Sequence, residues 1–258
     1  MAGSTAIRCG AFFMSDFMSV DSISTKAHSK RIGLLGGMSA TSSQLYYAEL
    51  CRLTQRARGG FCSPDLILRS LDFEPLEAWM TSGNWDAIAE TLSREASQLQ
   101  AAGAEVIALS TNTMHNVAAE IEAVISVPLI HIADATASAL KAAGRKTPGL
   151  IGTQFTMEQA FYLDRLRAHG LDPLVPGGSS RSVINNIIFE ELCKGIVQED
   201  STDTFIKAAT ELAFDGADSV ILGCTEVGML LNEHNTPLPV FDTTAIHCEA
   251  ILNAAWDG

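Results

Sequence analysis

The sequence predicts an α/β fold with two pseudosymmetric lobes, each a mainly parallel sheet flanked by helices. Three observations predict this fold. Short apolar runs alternate with longer stretches at helical spacing, which is typical of βαβ units. The 258 residues suffice for one large α/β unit or for two closely packed lobes. Short motifs of the first half also return, in the same order, in the second half.

Four buried strands and an intervening helix are predicted in the first half of the chain. The strands are placed at residues 32–35, 66–68, 106–109 and 129–132. The helix lies between the second and third strands and follows start signals at residues 82–84. Its apolar residues recur every three or four positions from Ile88 to Leu99, and Gly103 ends it.

The internal repeat pairs one polar residue of each half. The matched segments are 33–36 with 149–152, 103–105 with 216–218, and 127–130 with 238–241. Thr111 follows the first Gly-Ala-acid triplet by eight residues, and Cys224 follows the second by the same distance. Both therefore end matching strands, at the sheet edge where open α/β folds bind ligands. Because such short matches also arise in generic α/β repetition, the pairing has to be supported by chemistry.

The repeat divides the chain into a first lobe, residues 31–132 plus 239–258, and a second lobe, residues 133–238, with the active site in the cleft between them. Residues 1–30 are rich in serine and lack the apolar stretch of a signal peptide. They are predicted to form a disordered extension. A targeting presequence is the alternative, but two aspartates interrupt the segment.

Composition excludes several classes of partner. Thirty acidic residues outweigh seventeen Lys and Arg, so no basic stripe is available for nucleic acid or for an anionic membrane surface. The six cysteines show no CxxC pair and no zinc-binding spacing, which favours reduced thiols and no metal. No apolar run reaches the roughly 18 residues of a membrane span, and a cytoplasmic location is predicted.

Cys224 is the strongest candidate for chemistry. It lies between a predicted strand and the start of a helix, where free N–H groups and the helix dipole favour thiolate over a reference pKa of about 8.5. A thiolate there is a base or a nucleophile. The alternative is a buried structural cysteine, the interpretation favoured for Cys51, Cys193 and Cys248.

Thr111 opens the segment TNTMH (111–115), directly after a predicted strand. Its hydroxyl, amide and main-chain donors suit a carboxylate ligand at a helix N-terminus. Ordinary helix capping explains the same residues equally well.

Seven segments together resemble the aspartate/glutamate racemase family, and within it the bacterial L-aspartate/glutamate-specific racemases. They are IGLLGGMS (32–39), TNTMH (111–115), HIADAT (131–136), TMEQ (156–159), IIFEELC (187–193), GCTE (223–226) and PVFDT (239–243). The likeness covers residues 31 to about 255. It implies two α/β lobes, an amino acid bound between them, no cofactor and a homodimer.

The resemblance assigns acid and base roles to the two strand ends. Most family members carry a cysteine at both, whereas this chain has Thr111 at the first. Cys224 would deprotonate L-aspartate or L-glutamate, and the Thr111 side would return a proton to the opposite face. Because a hydroxyl ionises far less readily than a tuned thiol, the reaction is expected to be biased from L to D.

The family positions also imply substrate contacts. Asn112, Thr113 and Thr225 would stabilise the developing enolate together with main-chain N–H groups. Met38 and Ser39 would line the floor of the site.

Three further predicted contacts involve the carboxyl groups of the substrate and the catalytic thiol. Thr156 would contact a substrate carboxylate or only cap its helix. Arg69 and Ser70 end the second strand, and Arg69 is predicted to bind the side-chain carboxylate, because that group requires a cation or several donors. Glu226 would orient the thiol or serve as a cap.

Two alternatives remain open at this stage. Arylmalonate-type decarboxylases of the same superfamily also work with a single cysteine. A catalytically silent protein that binds an acidic amino acid would retain the same cleft.

Overall fold

The computed structural model describes residues 29–256. Its strands form two parallel sheets, which confirms the predicted fold class. The first sheet has the order β2-β1-β3 and the second the order β4-β5-β6. The strands are β1 (Ile32–Gly36), β2 (Leu66–Ser70), β3 (Val106–Leu109), β4 (Pro148–Gly152), β5 (Ser219–Gly223) and β6 (Val240–Asp242). The predicted extension, apart from Ser29 and Lys30, lies outside the described residues.

Helices cover both sheets. They are α1 (Ala40–Arg58), α2 (Phe73–Ser82), α3 (Trp85–Ala101), α4 (Ala118–Glu122), α5 (Ile132–Ala142), α6 (Gln154–Glu158), α7 (Ala160–Ala168), α8 (Gly178–Glu190), α9 (Glu199–Phe214) and α10 (Thr243–Trp256). Short 3-10 helices occupy Thr113–Val117, Leu192–Lys194 and Val227–Met229. The helix predicted after residues 82–84 is α3, which the Asn84 side chain caps by accepting from the N–H of Ala87 at 3.3 Å.

The strand registers reveal the duplication. In the first sheet Gly33 pairs with Ile107, which also bridges to Leu129. In the second sheet Gly149 pairs with Val220, which pairs in turn with Val240. Ile107 and Val220 are thus the middle residues of two equivalent rows of paired residues. Thr111 follows Ile107 by four residues, and Cys224 follows Val220 by four residues.

One sequence-based boundary differs from the structure. The predicted strand at residues 129–132 is reduced to one bridge at Leu129, because the His131 side chain accepts from the N–H of Ala133 and Ile132 already begins α5. The division into lobes at residues 132 and 239 stays a prediction. β6 pairs with β5 in the second sheet, whereas α10 packs with α1 and with the buried face of β1.

One close approach explains a repeated glycine. A Cβ at Gly33 would lie 2.7 Å from the Cβ of Ala104 and 3.3 Å from the Cβ of Leu99 on α3, and one at Gly149 would lie 2.8 Å from a methyl group of Leu212 on α9. Helices α3 and α9 therefore pack closely on the backbone of the strands β1 and β4, in matching positions.

Candidate active site

Thr111 and Cys224 line one cavity of about 30 Å³ between the two sheets. Each side chain is 8% exposed. The polar side chains of the lining are Thr111, Asn112, Thr113, Thr153, Thr225 and Glu226. The apolar ones are Met38, Phe73, Met80, Met114, Ile188 and Phe189. The backbone of Gly223 and the thiols of Cys193 and Cys224 complete it.

The Cys224 thiol is held in its neutral form. Its Sγ donates to Oε2 of Glu226 at 3.0 Å. Burial, followed by the negative charge of Glu226, raises the pKa of Cys224 well above its usual value. The sequence predicts a thiolate at the start of a helix, whereas the structure favours the neutral thiol. The residues that follow Cys224 form only the short 3-10 helix Val227–Met229, which provides little helix dipole.

Glu226 joins the two lobes at the thiol. Its Oε1 accepts from Ser39 Oγ at 2.6 Å, and Ser39 is the N-cap residue of α1. Its Oε2 accepts from Thr225 Oγ1 as well as from Cys224. The side chain is 2% exposed, so these hydroxyl and thiol donors replace the water that a carboxylate would otherwise require. The thiol of Cys193 is a fourth donor, 4.0 Å from Oε1.

A chain of hydroxyls begins at two residues of the lining, Thr113 and Thr153, and continues to Thr156, which is outside the lining. Thr113 Oγ1 and Thr153 Oγ1 are 3.1 Å apart, as are Thr153 Oγ1 and Thr156 Oγ1. Thr153 also caps α6 by accepting from the N–H of Thr156 at 3.3 Å. Three hydroxyls with two mutual bonds leave one hydrogen for a ligand.

Asn112 presents an unused acceptor. Its Nδ2 donates to Thr243 Oγ1 at 3.1 Å, and Thr243 Oγ1 in turn donates to the carbonyl of Leu222 at 2.7 Å. That direction fixes the amide orientation. Its Oδ1 is buried without a hydrogen-bond partner among residues 29–256. A buried acceptor of this kind suits a cationic donor such as an ammonium group.

The structure brings most of the predicted site residues together. Met38, Asn112, Thr113, Thr225 and Glu226 line the cavity with Thr111 and Cys224. Ser39 and Thr156 contact lining residues through hydrogen bonds.

Arg69 and Ser70 are not part of the lining. Arg69 Nε donates instead to Oε2 of Glu95 on α3 at 2.7 Å, and its side chain is 49% exposed. This placement gives no support to Arg69 as the group that binds a substrate side chain.

Two residues that the sequence does not single out as site residues line the cavity. They are Phe189, to which the sequence assigns no role, and Cys193, for which it favours a structural thiol. Burial, followed by Glu226, raises the pKa of Cys193 to about 12. Their one sequence signal is the segment 187–193, which contributes to the family resemblance without assigning a role to either residue.

His115 holds the backbone of Thr111. Its Nδ1–H donates to the Thr111 carbonyl at 2.9 Å, while its Nε2 accepts from the N–H of Ile132 at 3.3 Å. Burial, and then the neighbouring His131, lowers the pKa of His115 well below its usual value. The ring is therefore a neutral positioning group.

Within the described residues, no cluster of three His, Cys, Asp or Glu side chains has the arrangement of a metal site. The same stretch of the chain includes no helix that is both long and apolar enough to cross a membrane.

Comparisons with known proteins agree on one family. The model of the Asp/Glu/Hydantoin racemase family matches residues 35–251. A candidate Asp/Glu racemase from Yersinia pestis is 44% identical and superimposes with a TM-score of 0.82, covering 88% of this chain and 99% of that one. An aspartate racemase homologue from Pyrococcus horikoshii is 30% identical, with a TM-score of 0.77 and the same coverage.

A curated relative, the broad-specificity amino-acid racemase of Bacillus subtilis, is 24% identical over 217 residues, which are 83% of this chain and 93% of that protein. The family match spans both lobes and includes every residue of the cavity. This chain belongs to the Asp/Glu/Hydantoin racemase family.

Proposed function

We propose that the protein is a cofactor-independent amino-acid racemase in which Cys224 and the Thr111 side act on opposite faces of the substrate Cα. The observation that carries the proposal is that these two residues follow equivalent strands and line one cavity. Inversion without a cofactor needs two such groups, because the proton must leave one face of the carbon and return to the other.

The polar half of the cavity offers complementary groups for an amino-acid zwitterion. The hydroxyl chain ending at Thr113 has one hydrogen available for the α-carboxylate. The unpartnered Oδ1 of Asn112 suits the α-ammonium. Charge at the carboxylate increases as the enolate forms, so the hydroxyl donors stabilise the transition state more than the ground state.

In the proposed reaction the thiol proton first moves toward Glu226, whose Oε2 already accepts it. The substrate ammonium favours this step, since a nearby positive charge stabilises a thiolate. The thiolate of Cys224 then takes the Cα proton of the L-enantiomer, and the electron pair of that C–H bond delocalises into the α-carboxylate. A proton that comes from solvent through the Thr111 hydroxyl completes the D-product, and the proton held by Glu226 passes to solvent, so that both side chains return to their starting protonation states.

The two directions are expected to differ in a defined way. Because enantiomers have equal free energies, kcat/KM for net inversion is the same from either side. The asymmetry appears instead in kcat at saturation and in Cα exchange without inversion. A hydroxyl is a poor base near neutrality, so the D-enantiomer should be deprotonated more slowly than the L-enantiomer.

Aspartate and glutamate are the substrates that the family resemblance implies. The relatives are named for aspartate, for Asp/Glu and for broad specificity, so the family by itself leaves the side chain open. A homodimer in the cytoplasm stays a prediction.

Chiral chromatography tests the proposal. The protein should convert L-amino acids to their D-enantiomers, and Cys224→Ser should slow the conversion by about 10²- to 10⁴-fold, the usual contribution of a general base. Cys62→Ser, at a thiol outside the cavity, is the matched control and should keep full activity.

Two results would contradict the racemase. Binding of amino acids without exchange or inversion would identify a silent binding protein. Release of carbon dioxide from an arylmalonate, without action on amino acids, would identify a decarboxylase.

A further inference from the structure

Proton return in the proposed racemase depends on where the Thr111 hydroxyl points. Thr111 lies two residues beyond the end of β3, outside the strand pairing that fixes the backbone of the sheet. Its side chain is β-branched and has few allowed rotamers, so the direction of the hydroxyl follows that of the backbone. Whatever holds the peptide units on either side of the Thr111 Cα therefore also holds the hydroxyl.

Buried side chains hold both of these peptide units. Ser42, on α1, donates its hydroxyl to the carbonyl of Ser110. His115, in the 3-10 helix Thr113–Val117, donates Nδ1–H to the carbonyl of Thr111 at 2.9 Å. Ser42 is 1% exposed and His115 is 2% exposed, so water does not compete for these two carbonyls. The two bonds restrict both backbone dihedral angles of Thr111.

The His115 ring is itself fixed in orientation and in tautomer. Its Nε2 accepts at 3.3 Å from the N–H of Ile132, the first residue of α5, so the ring proton is on Nδ1, which faces Thr111. The centroid of the His131 ring lies 4.5 Å from that of His115, and the centroid of the His247 ring lies 5.7 Å away. The buried ring therefore turns only by breaking two hydrogen bonds and two ring contacts.

We propose that His115 and Ser42 are positioning residues for proton return, which hold the Thr111 hydroxyl where it meets the substrate Cα. The inference rests on the proposed function and adds two residues outside the lining that the described residues form. Both side chains bind the backbone at Thr111, whereas the thiol of Cys224 is held by Glu226. Their loss should therefore slow inversion much more than it slows proton exchange of the L-enantiomer.

Two amide variants separate the two hydrogen bonds of His115. The amide of asparagine takes the place of Nδ1, so His115→Asn keeps a donor for the Thr111 carbonyl and loses the bond to Ile132. The amide of glutamine extends as far as Nε2, so His115→Gln keeps an acceptor for Ile132 and loses the bond to Thr111. Both variants lose the aromatic ring, so the difference between them reports the bond to Thr111.

The assay follows L-aspartate and L-glutamate in D₂O, with chiral separation and NMR of Cα deuterium in the recovered L-enantiomer and in the D-product. In His115→Gln the ratio of inversion to L-exchange should fall by about 10- to 10²-fold, because a catalytic group displaced by about 1 Å loses that much rate. His115→Asn should keep most of the wild-type ratio. His131→Asn, which removes a ring of similar burial and keeps the cap of α5, is the matched control and should keep it as well.

Equal ratios in His115→Asn and His115→Gln, or inversion and L-exchange that fall by the same factor in His115→Gln, would overturn the positioning role. Ser42→Ala tests the other peptide unit independently of how the His115 variants fold. It should also lower the ratio, and a wild-type ratio in this variant would contradict the proposal. A wild-type protein that neither exchanges nor inverts either amino acid would instead overturn the racemase itself, so the two failures are distinguishable.

Discussion

The thiol of Cys224 and the carboxylate of Glu226 share one hydrogen, with Sγ and Oε2 3.0 Å apart. The carboxylate has two effects on the thiol. Its negative charge raises the pKa of Cys224, which disfavours the thiolate before substrate arrives. In the proposed mechanism its oxygen also accepts the thiol proton when the positive ammonium enters. We therefore propose that the substrate activates the thiol that deprotonates it.

Glu226→Gln separates these two effects. The pKa of Cys224 should fall, because the negative charge that raises it is gone. Cα exchange should nevertheless slow by about 10²-fold or more, since no carboxylate accepts the thiol proton. The measurement is the pH profile of Cys224 alkylation by iodoacetamide, identified by peptide mass, beside the exchange rate.

Glu233→Gln, at an exposed loop position, is the matched control for that variant. It should leave both the alkylation profile and the exchange rate unchanged. An alkylation midpoint for Glu226→Gln at the wild-type pH or higher would contradict the electrostatic role of Glu226.

In the proposed mechanism, Thr111 determines how much faster one enantiomer is deprotonated than the other. Thr111→Cys should increase exchange of the D-enantiomer toward that of the L-enantiomer, because a thiol is a far better base than a hydroxyl. Thr111→Val should keep L-exchange and lose inversion, since its side chain has a similar shape and no proton to give. Deuterium NMR combined with chiral separation measures both. D-exchange that stays slow in Thr111→Cys would argue against a base at this position.

The sequence predicts which residues form the candidate site better than it predicts what surrounds each of them. The paired positions of Thr111 and Cys224 followed from equal spacing after matching glycines. The protonation of Cys224 did not, because it depends on burial and on Glu226 rather than on a helix dipole. The partner of Arg69 was equally inaccessible, since Glu95 approaches it from a helix that follows in the chain.

At the scale of elements, the repeated glycine is a packing requirement. Gly33→Ala should destabilise the protein by about 1–3 kcal/mol, because the new methyl group would clash with the fixed Cβ of Ala104. Gly177→Ala is the control, since a Cβ there has nothing within 4 Å and φ is –56°. Urea unfolding measures both variants. Equal stability of the two would contradict the close approach of Ala104 to the backbone of β1.

A buried group of histidines ties α10 to the helices beside it. His247 Nδ1 accepts from the Tyr46 hydroxyl at 2.8 Å, and its Nε2–H donates to the Ile130 carbonyl at 2.7 Å. Burial, followed by the neighbouring His115, lowers the pKa of His247 to about 3. Burial is also the first cause that lowers the pKa of His131 to about 3.

The pH dependence of stability follows from these shifts. Between pH 3 and about 6.5 the unfolded chain binds protons that the folded histidines do not, so stability falls as pH falls through this window. Each such histidine contributes a slope of about 1.4 kcal/mol per pH unit. In urea unfolding from pH 7 to pH 5, His247→Gln should lose part of this slope, whereas exposed His234→Gln should keep it. Parallel pH profiles for wild type and His247→Gln would contradict this origin.

Element type was more predictable than element ends. The apolar runs at β1 and β3 predict strands directly, and the caps of α3 appear in the sequence. The segment at residues 129–132 reads as a strand because it is apolar. Its length as a strand is decided by His131, whose side chain caps α5, a local contact that periodicity does not report.

At the scale of the whole molecule, the site depends on contacts between the lobes. Ser39 reaches Glu226, and Thr113 reaches Thr153, from opposite sides of the cavity. Its volume of about 30 Å³ has room for one or two waters. We therefore expect the walls to move apart when a substrate enters. The duplication could be predicted from the sequence, whereas the pairing of β6 with β5 is seen only in the structure.

The most direct test of the central claim is Cα deuterium incorporation measured separately for the two enantiomers of one substrate in D₂O. A single thiol base on one face predicts that the L-enantiomer acquires deuterium faster than the D-enantiomer, and that Cys224→Ser abolishes the difference by removing the L-exchange. Equal exchange of both enantiomers in the wild type, or L-exchange that persists in Cys224→Ser, would contradict a one-sided mechanism at Cys224.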